Sequence, residues 1–170
     1  EVLQAEIVSN KRIADDILAG IELASMAVVT FAVPTAALPP LAGSGFLVPP
    51  IEGRAIKAST FSTAKWGWLA QQSPDVSFLR ASLGRAGEEA VLQRPDRELI
   101  DLAWGDLSDI LGAALPAPID VHVLRWGGGL PQYAVGHLVR IALLDKDISS
   151  VPGLAVAGAA YAGVGIPAVI

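Results

Sequence analysis

Apolar positions along the chain fall into runs with two different periods, and these set the expected order of elements. Ile21–Val33 is almost continuously apolar and rich in Val, Thr and Phe, and Pro34 closes it, as for a strand buried on both faces. Phe46–Val48 and Arg54–Thr60 predict two strands joined as a hairpin around Pro49-Pro50 and Glu52-Gly53. Val76–Gly84 predicts another strand, and Ile119–Trp126 alternates as one more. Helical spacing is clearest over Asp96–Gly112, where Leu99, Ala103, Leu107, Ile110 and Ala114 recur opposite Arg97, Asp101 and Asp109. Pro95 and Asp96 mark its start, and Pro116 and Pro118 its end.

Lys11–Gly20 predicts a short helix with Asn10 as N-cap and Gly20 as stop, placing Ile13, Ile17 and Leu18 on one face. Pro131–Leu144 predicts a further helix entered through Gly127–Gly129. Ser62–Ala70, with Trp66 and Trp68, is open between a short helix and an aromatic surface strip. At the end of the chain the apolar run Gly153–Ala157 leads into Gly158, Gly163 and Gly165, a pattern of strand, glycine turn and helix start. Those glycines remove Cβ atoms where backbone approaches a flat ligand. The chain stops within the helix it opens, so a longer parent is expected. Strands and helices interleave in mixed order, which predicts an α/β fold of the mixed α+β kind.

Composition narrows the function classes. The 170 residues are 52% hydrophobic with mean hydropathy +0.51, enough to fill a domain core and too apolar for a disordered chain. The longest uncharged stretch, Leu23–Ile51, is broken by Pro34, Pro39, Pro40, Pro49 and Pro50, so no membrane-spanning helix is expected. No targeting segment is readable at Glu1. Without cysteine there are neither disulfides nor thiolate catalysis, a composition compatible with the cytosol. A net charge of −5 with no Lys/Arg cluster argues against nucleic acid as a partner.

Catalytic constellations are sparse. His122 and His137 lack any metal-ligand spacing, so no metal is expected, and each is read as an ordinary polar side chain at an element surface or one satisfied by backbone. Ser44 lies in Gly-Ser-Gly rather than in a nucleophile elbow. Asp96, Asp101, Asp106 and Asp109 share one helix and are read as a solvated face. No catalytic side chain is therefore expected. Gly127–Gly129 alone reads as a flexible connection, with a ligand loop as the alternative. The first-strand Gly-x-Gly-x-x-Gly fingerprint of a dinucleotide site is not found.

Five blocks in order carry a resemblance: Ser44-Gly-Phe-Leu-Val-Pro49; Ala58-Ser-Thr-Phe-Ser62 with Lys65-Trp66; Leu79-Arg-Ala-Ser82; Arg125-Trp126 through Leu130-Pro-Gln-Tyr133 to Gly136-His137; and Gly158 to Pro167. Together they resemble the C-terminal part of the flavin-dependent protoporphyrinogen/coproporphyrinogen oxidases, within the wider flavin amine oxidase group, over most of Ile17–Ile170. Glu1–Asp16 matches nothing placed.

The resemblance implies that FAD carries the redox chemistry. The implied reaction takes a porphyrinogen to a porphyrin in haem biosynthesis, with dioxygen as acceptor and hydrogen peroxide as product. The Lys65-Trp-Gly-Trp-Leu69 and Trp126-Gly-Gly-Gly129 wording is similar to actinobacterial members, which implies coproporphyrinogen III as substrate, with protoporphyrinogen IX as runner-up. Residues 1–125 would then belong to a substrate-binding domain with mixed sheet and helices. Residues 126–170 would return to an FAD-binding, Rossmann-like domain.

Carried over by position, Val164, Gly165 and Ile166, with Gly158 and Gly163, would lie against the flavin, and Trp126 would be a neighbouring contact. Gly45, Leu47, Ser59 and Leu79 would wall the macrocycle slot, and Arg54, Lys57, Lys65 or Arg80 would offer a cation to its carboxylates. Ala159-Ala160 stands where related sequences often carry an acidic or polar residue, leaving only backbone contact there. The implied setting is cytoplasmic, with peripheral membrane association and a homodimer left open. An amine-oxidase-type flavoprotein and a non-catalytic binding module are the alternatives. The chain alone lacks half of an FAD site and is expected to be inactive by itself.

Overall fold

The computed structural model describes residues 16–112 and 114–169. Of the predicted helix Lys11–Gly20, residues 16–19 are helical and the Gly20 N–H closes it onto Asp16 O at 3.2 Å. Its proposed cap Asn10 and the apolar Ile13 lie outside the described residues. The chain divides into two compact units, one from Ser25–Gly127 and the other from the described residues on either side of it.

The Ser25–Gly127 unit is built on a five-stranded sheet: β1 (Leu23–Pro34), β2 (Gly45–Leu47), β3 (Ile56–Phe61), β4 (Val76–Leu83) and β5 (Asp120–Pro131), in the order β2-β3-β4-β1-β5. Pairing is antiparallel for β2–β3, β3–β4 and β1–β4. Beside β1, the Ile119 N–H donates to Ala32 O at 2.7 Å and the Gln132 N–H to Glu22 O at 2.8 Å, which sets β5 antiparallel as well. The mixed α+β class expected from the sequence is the one observed, with an antiparallel sheet in place of the mixed one.

Alternation along β1 sends Ala27, Val29, Phe31 and Val33 to one face, where each is fully buried. The register sets Val29 opposite Ala81 and Phe31 opposite Leu79, extending that face across β4. Ser59 and Phe61 continue it on β3, opposite Ala81 and Leu79. Helix α3 (Asp96–Leu111) covers it with Leu99, Ala103 and Leu107, all fully buried, and Trp104 sets its ring centroid 4.6 Å from that of Phe31. The expected helix face stops short of prediction: Ile110 is 38% exposed and Ala114 lies beyond the helix. Gly112, at φ +64°, ends the helix and returns its N–H to Asp109 O, four residues before the first of the prolines credited with that role. β1 has one helix-covered face rather than two, because an antiparallel sheet needs cover on only one side.

The aromatic stretch before β4 resolves into two short helices, α1 (Ser62–Lys65) and α2 (Gly67–Gln72). Two other expectations fail. The glycine triplet does not lead into a helix: Gly127–Gly129 continue β5, which runs on to Pro131, and α4 spans His137–Ser149 with Gly136 at its N-cap (φ +81°). Glycines give no alternating side chains, so the strand signal vanishes while the backbone ladder persists. Leu154–Ala157 forms no strand and stays irregular, since a short run of small apolar residues carries no period. A single turn, α5 (Ile166–Val169), is the last described element.

Candidate functional site

In the unit that holds the chain's end, the entrance to α4 fixes the glycine-rich segment. Tyr133 and His137 stack, with ring centroids 4.3 Å apart and planes 17° from parallel. The Tyr133 hydroxyl donates to Ala159 O, and His137 Nε2 lies 2.8 Å from Tyr161 O. A carbonyl only accepts, so Nε2 is the donor, and Nδ1 is buried without a partner. The imidazole is thus 5% exposed and held by backbone, rather than lying at a surface. Two side chains thereby hold the 158–161 turn at two of its carbonyls.

Downstream of this clamp the chain is bare. Gly158, Gly163 and Gly165 have φ of +137°, +154° and +102°, values that L side chains rarely adopt. A Cβ at Gly163 would meet that of Ala168 at 3.2 Å, whereas at Gly165 it would meet nothing within 4 Å. Crowding within the chain therefore does not call for glycine at 165. On either side, Val164 is 64% and Ile166 74% exposed. α5 is one turn long, closed by the Ala168 N–H on Gly165 O, and is too short to contribute a helix dipole. What the segment offers is an apolar edge of bare backbone.

In the Ser25–Gly127 unit, the sheet face opposite α3 is the open one. Gly45 and Leu47 lie on it, opposite Thr60 and Ala58, and Leu47 is 84% exposed. Gly45 is dictated by the fold: its φ is +144° and a Cβ would fall 2.2 Å from Ser59 O. Ser59 and Leu79 turn the other way, into the core under α3, where Leu79 is fully buried and the Ser59 hydroxyl has no partner. The structure thus brings together Gly45 and Leu47 but places the Ser59 and Leu79 side chains beneath the sheet.

Trp126 is half-exposed beside a cleft of about 370 Å³ lined by Ser25, Met26, Leu92, Arg125 and Gly127 among others. It is positioned through Arg125, whose guanidinium donates to Leu92 O (3.0 Å) and Arg94 O (2.8 Å) and pairs with Asp96.

Three of the four cations considered for substrate are engaged elsewhere. Arg54 pairs with Asp109 (2.5 Å) and Asp106 (3.4 Å), and these carboxylates hold its pKa above the ordinary value. Lys57 sits in a bulge of β3 and donates to Gly84 O; its pKa is lowered by burial and by Arg85. Lys65 lies 5.1 Å over the Trp66 ring. Arg80 is exposed on the open face, and among the described residues no hydrogen bond or ion pair engages it.

Sequence reasoning missed the residues that build this frame. The Arg85 guanidinium donates to Val48 O, Ile56 O and Arg54 O, each at 3.1 Å, and pins the loop between β2 and β3. Asp106 accepts from the Ile56 N–H at 3.0 Å and so ties α3 to β3. Asp96, Asp106 and Asp109 therefore bind specific partners instead of forming a merely solvated face. Nothing in their spacing distinguishes the two uses. Among the described residues no group of three His, Cys, Asp or Glu side chains converges as a metal site, and no helix is long and apolar enough to cross a membrane.

The pattern of the family described as flavin containing amine oxidoreductase matches residues 12–170. A coproporphyrinogen III oxidase of Mycobacterium tuberculosis (strain ATCC 25618 / H37Rv) is 42% identical over 147 residues, covering 86% of this chain and 31% of that protein. The coproporphyrinogen III oxidase of Bacillus subtilis (strain 168) is 35% identical over 126 residues, covering 74% and 26%. A crystal structure from Exiguobacterium sp. 255-15, assigned as a protoporphyrinogen oxidase, superposes with TM-score 0.75 at 34% identity, over 89% of this chain and 33% of that one. The chain thus spans about a third of the length of such relatives. With its residues matched from 12 to 170, the chain belongs to the flavin-containing amine oxidoreductase family.

Proposed function

We propose that this chain is the C-terminal part of an FAD-dependent oxidase that converts coproporphyrinogen III to coproporphyrin III. The observation that carries the reading is the 42% identity to a coproporphyrinogen III oxidase across both structural units. The residues present fit a flavin. Gly165 holds a φ of +102° that favours glycine, no neighbour fills the space beside it, and exposed Val164 and Ile166 flank it, so these residues would hold a flat apolar ring. When bound, the flavin supplies the two-electron oxidation chemistry, repeated in successive rounds, with dioxygen as the proposed final acceptor.

The chain's own part is to bind and position. Tyr133 and His137 hold the 159–161 backbone so that the bare edge after it keeps one shape. The open sheet face, with Gly45 and Leu47 at its edge strand, offers a flat, largely apolar floor suited to a greasy macrocycle. No side chain of the described residues is needed as acid, base or nucleophile in this scheme. Ser59 and Leu79 serve from beneath, as packing that keeps the floor flat.

The test is turnover by the full-length protein, followed by porphyrin fluorescence, with coproporphyrinogen III and protoporphyrinogen IX compared. Faster oxidation of coproporphyrinogen III, with peroxide released, supports the proposal. Preference for protoporphyrinogen IX would favour the second reading, to which the assignment of the Exiguobacterium structure gives weight. Peroxide release that depends on amines alone would move the protein to the amine-oxidase branch of the family.

A further inference from the structure

We propose that Arg80 is the residue that receives a carboxylate of the macrocycle on the open sheet face, and that it makes the site selective for acid-bearing porphyrinogens; this rests on the function proposed above. Strand register places it. Arg80 pairs with Thr30 of β1 on one side and Thr60 of β3 on the other, and Thr60 in turn pairs with Gly45 of β2. The row across four strands is therefore Gly45, Thr60, Arg80, Thr30, all on the face away from α3.

The neighbouring rows are small or apolar. Leu47, Ala58, Ser82 and Val28 form the next row on one side, and Phe78 pairs with Ala32 on the other. Gly45 has no side chain to raise beside Thr60, and the fold requires that it have none. Arg80 thus stands as the exposed, unengaged cation in the middle of the floor formed by β1 to β4.

Two observations set it apart from an ordinary surface arginine. The other cations raised by the sequence already have partners: Arg54 the two aspartates of α3, Lys57 the Gly84 carbonyl, and Lys65 the Trp66 ring. Strands β1 to β4 contain no Asp or Glu, and the sheet's one acid, the exposed Asp120 of β5, lies two strands away from Arg80. An exposed guanidinium keeps its donors for a ligand, and its planar fork matches a carboxylate in bidentate fashion. A flat molecule lying on Leu47, Ala58 and Phe78 would bring a carboxylate at its rim to this fork. A neutral or esterified macrocycle would gain the same apolar contact and lose that bond.

The experiment uses the full-length, FAD-loaded protein as wild type, Arg80→Gln and Arg80→Lys. Fluorescence quenching gives Kd for coproporphyrin and for its fully methylated ester, and turnover of coproporphyrinogen III gives KM and kcat. Arg80→Gln is expected to weaken the free acid about tenfold to a hundredfold, the range for a hydrogen bond to a charged group, while leaving ester affinity and FAD content as in wild type. Arg80→Lys should recover part of the loss by keeping the charge without the fork. Unchanged affinity of Arg80→Gln for the acid, or equal loss for acid and ester, would overturn the assignment while the proposed function stands. A wild type that neither binds nor oxidises either macrocycle would overturn the function itself, and Arg80's role with it.

Discussion

Replacing His137 with Phe isolates the clamp on the glycine segment. The phenyl ring keeps the stack on Tyr133, now at a centroid distance of 4.3 Å, so the aromatic contribution of about 0.5–1.5 kcal/mol is retained. What is removed is the 2.8 Å hydrogen bond from Nε2 to Tyr161 O, made by a side chain only 5% exposed. Leaving that carbonyl without its donor costs about 1–3 kcal/mol. In the full-length protein, ordering the 158–166 backbone would then have to be driven by FAD binding. Since about 1.4 kcal/mol corresponds to tenfold, His137→Phe should weaken FAD by about ten- to a hundredfold. Titration of deflavinated protein with FAD, read by flavin fluorescence, measures this, and thermal unfolding of the apoprotein measures the structural loss separately. A variant with a lowered Tm and a wild-type Kd for FAD would refute the reasoning, showing the clamp to be local packing with no bearing on the cofactor.

Gly165→Leu in the full-length protein should abolish most bound flavin, because it fills the bare backbone at φ +102° that no neighbour occupies; flavin content per protein by absorbance checks it. Asp106→Ala should cost about 1–3 kcal/mol in urea unfolding, since it orphans the N–H of fully buried Ile56. Asp109→Ala, which removes an exposed partner of Arg54, should leave the unfolding midpoint close to that of wild type. Lys57 gives a pH signature. Its folded pKa lies below the ordinary 10.5, so as pH rises the folded state releases this proton before the unfolded chain does. Stability from this residue therefore increases with pH between the lowered value and 10.5. Lys57→Met should remove that increment from the unfolding free energy measured across the alkaline range.

The elements with strong side-chain periodicity were legible in the sequence. Leu99, Ala103 and Leu107 announced α3, and the Val, Thr and Phe content of β1 announced an interior strand. Glycine hid the rest: β5 passes through Gly127–Gly129 with no alternating side chains to mark it. The division of the candidate substrate wall was not legible either. Which face Ser59 and Leu79 share with Gly45 and Leu47 depends on strand register, and that is set by a β2–β3 connection pinned by Arg85 and by the bulge between Ile56 and Ala58. A bulge shifts the parity of a strand by one residue, and its position is a tertiary outcome. Likewise, the Tyr133 and His137 block stood out as a word in the resemblance, but its partners Ala159 and Tyr161 emerge only when the segment folds back.

The most direct measurement mixes the purified, full-length flavoprotein with coproporphyrinogen III in the absence of oxygen and follows flavin and porphyrin absorbance together. The account predicts that the oxidised-flavin band bleaches as porphyrin absorbance grows, and that admitting oxygen restores the flavin with release of peroxide. A flavin band that stays unchanged in the presence of coproporphyrinogen III would contradict it.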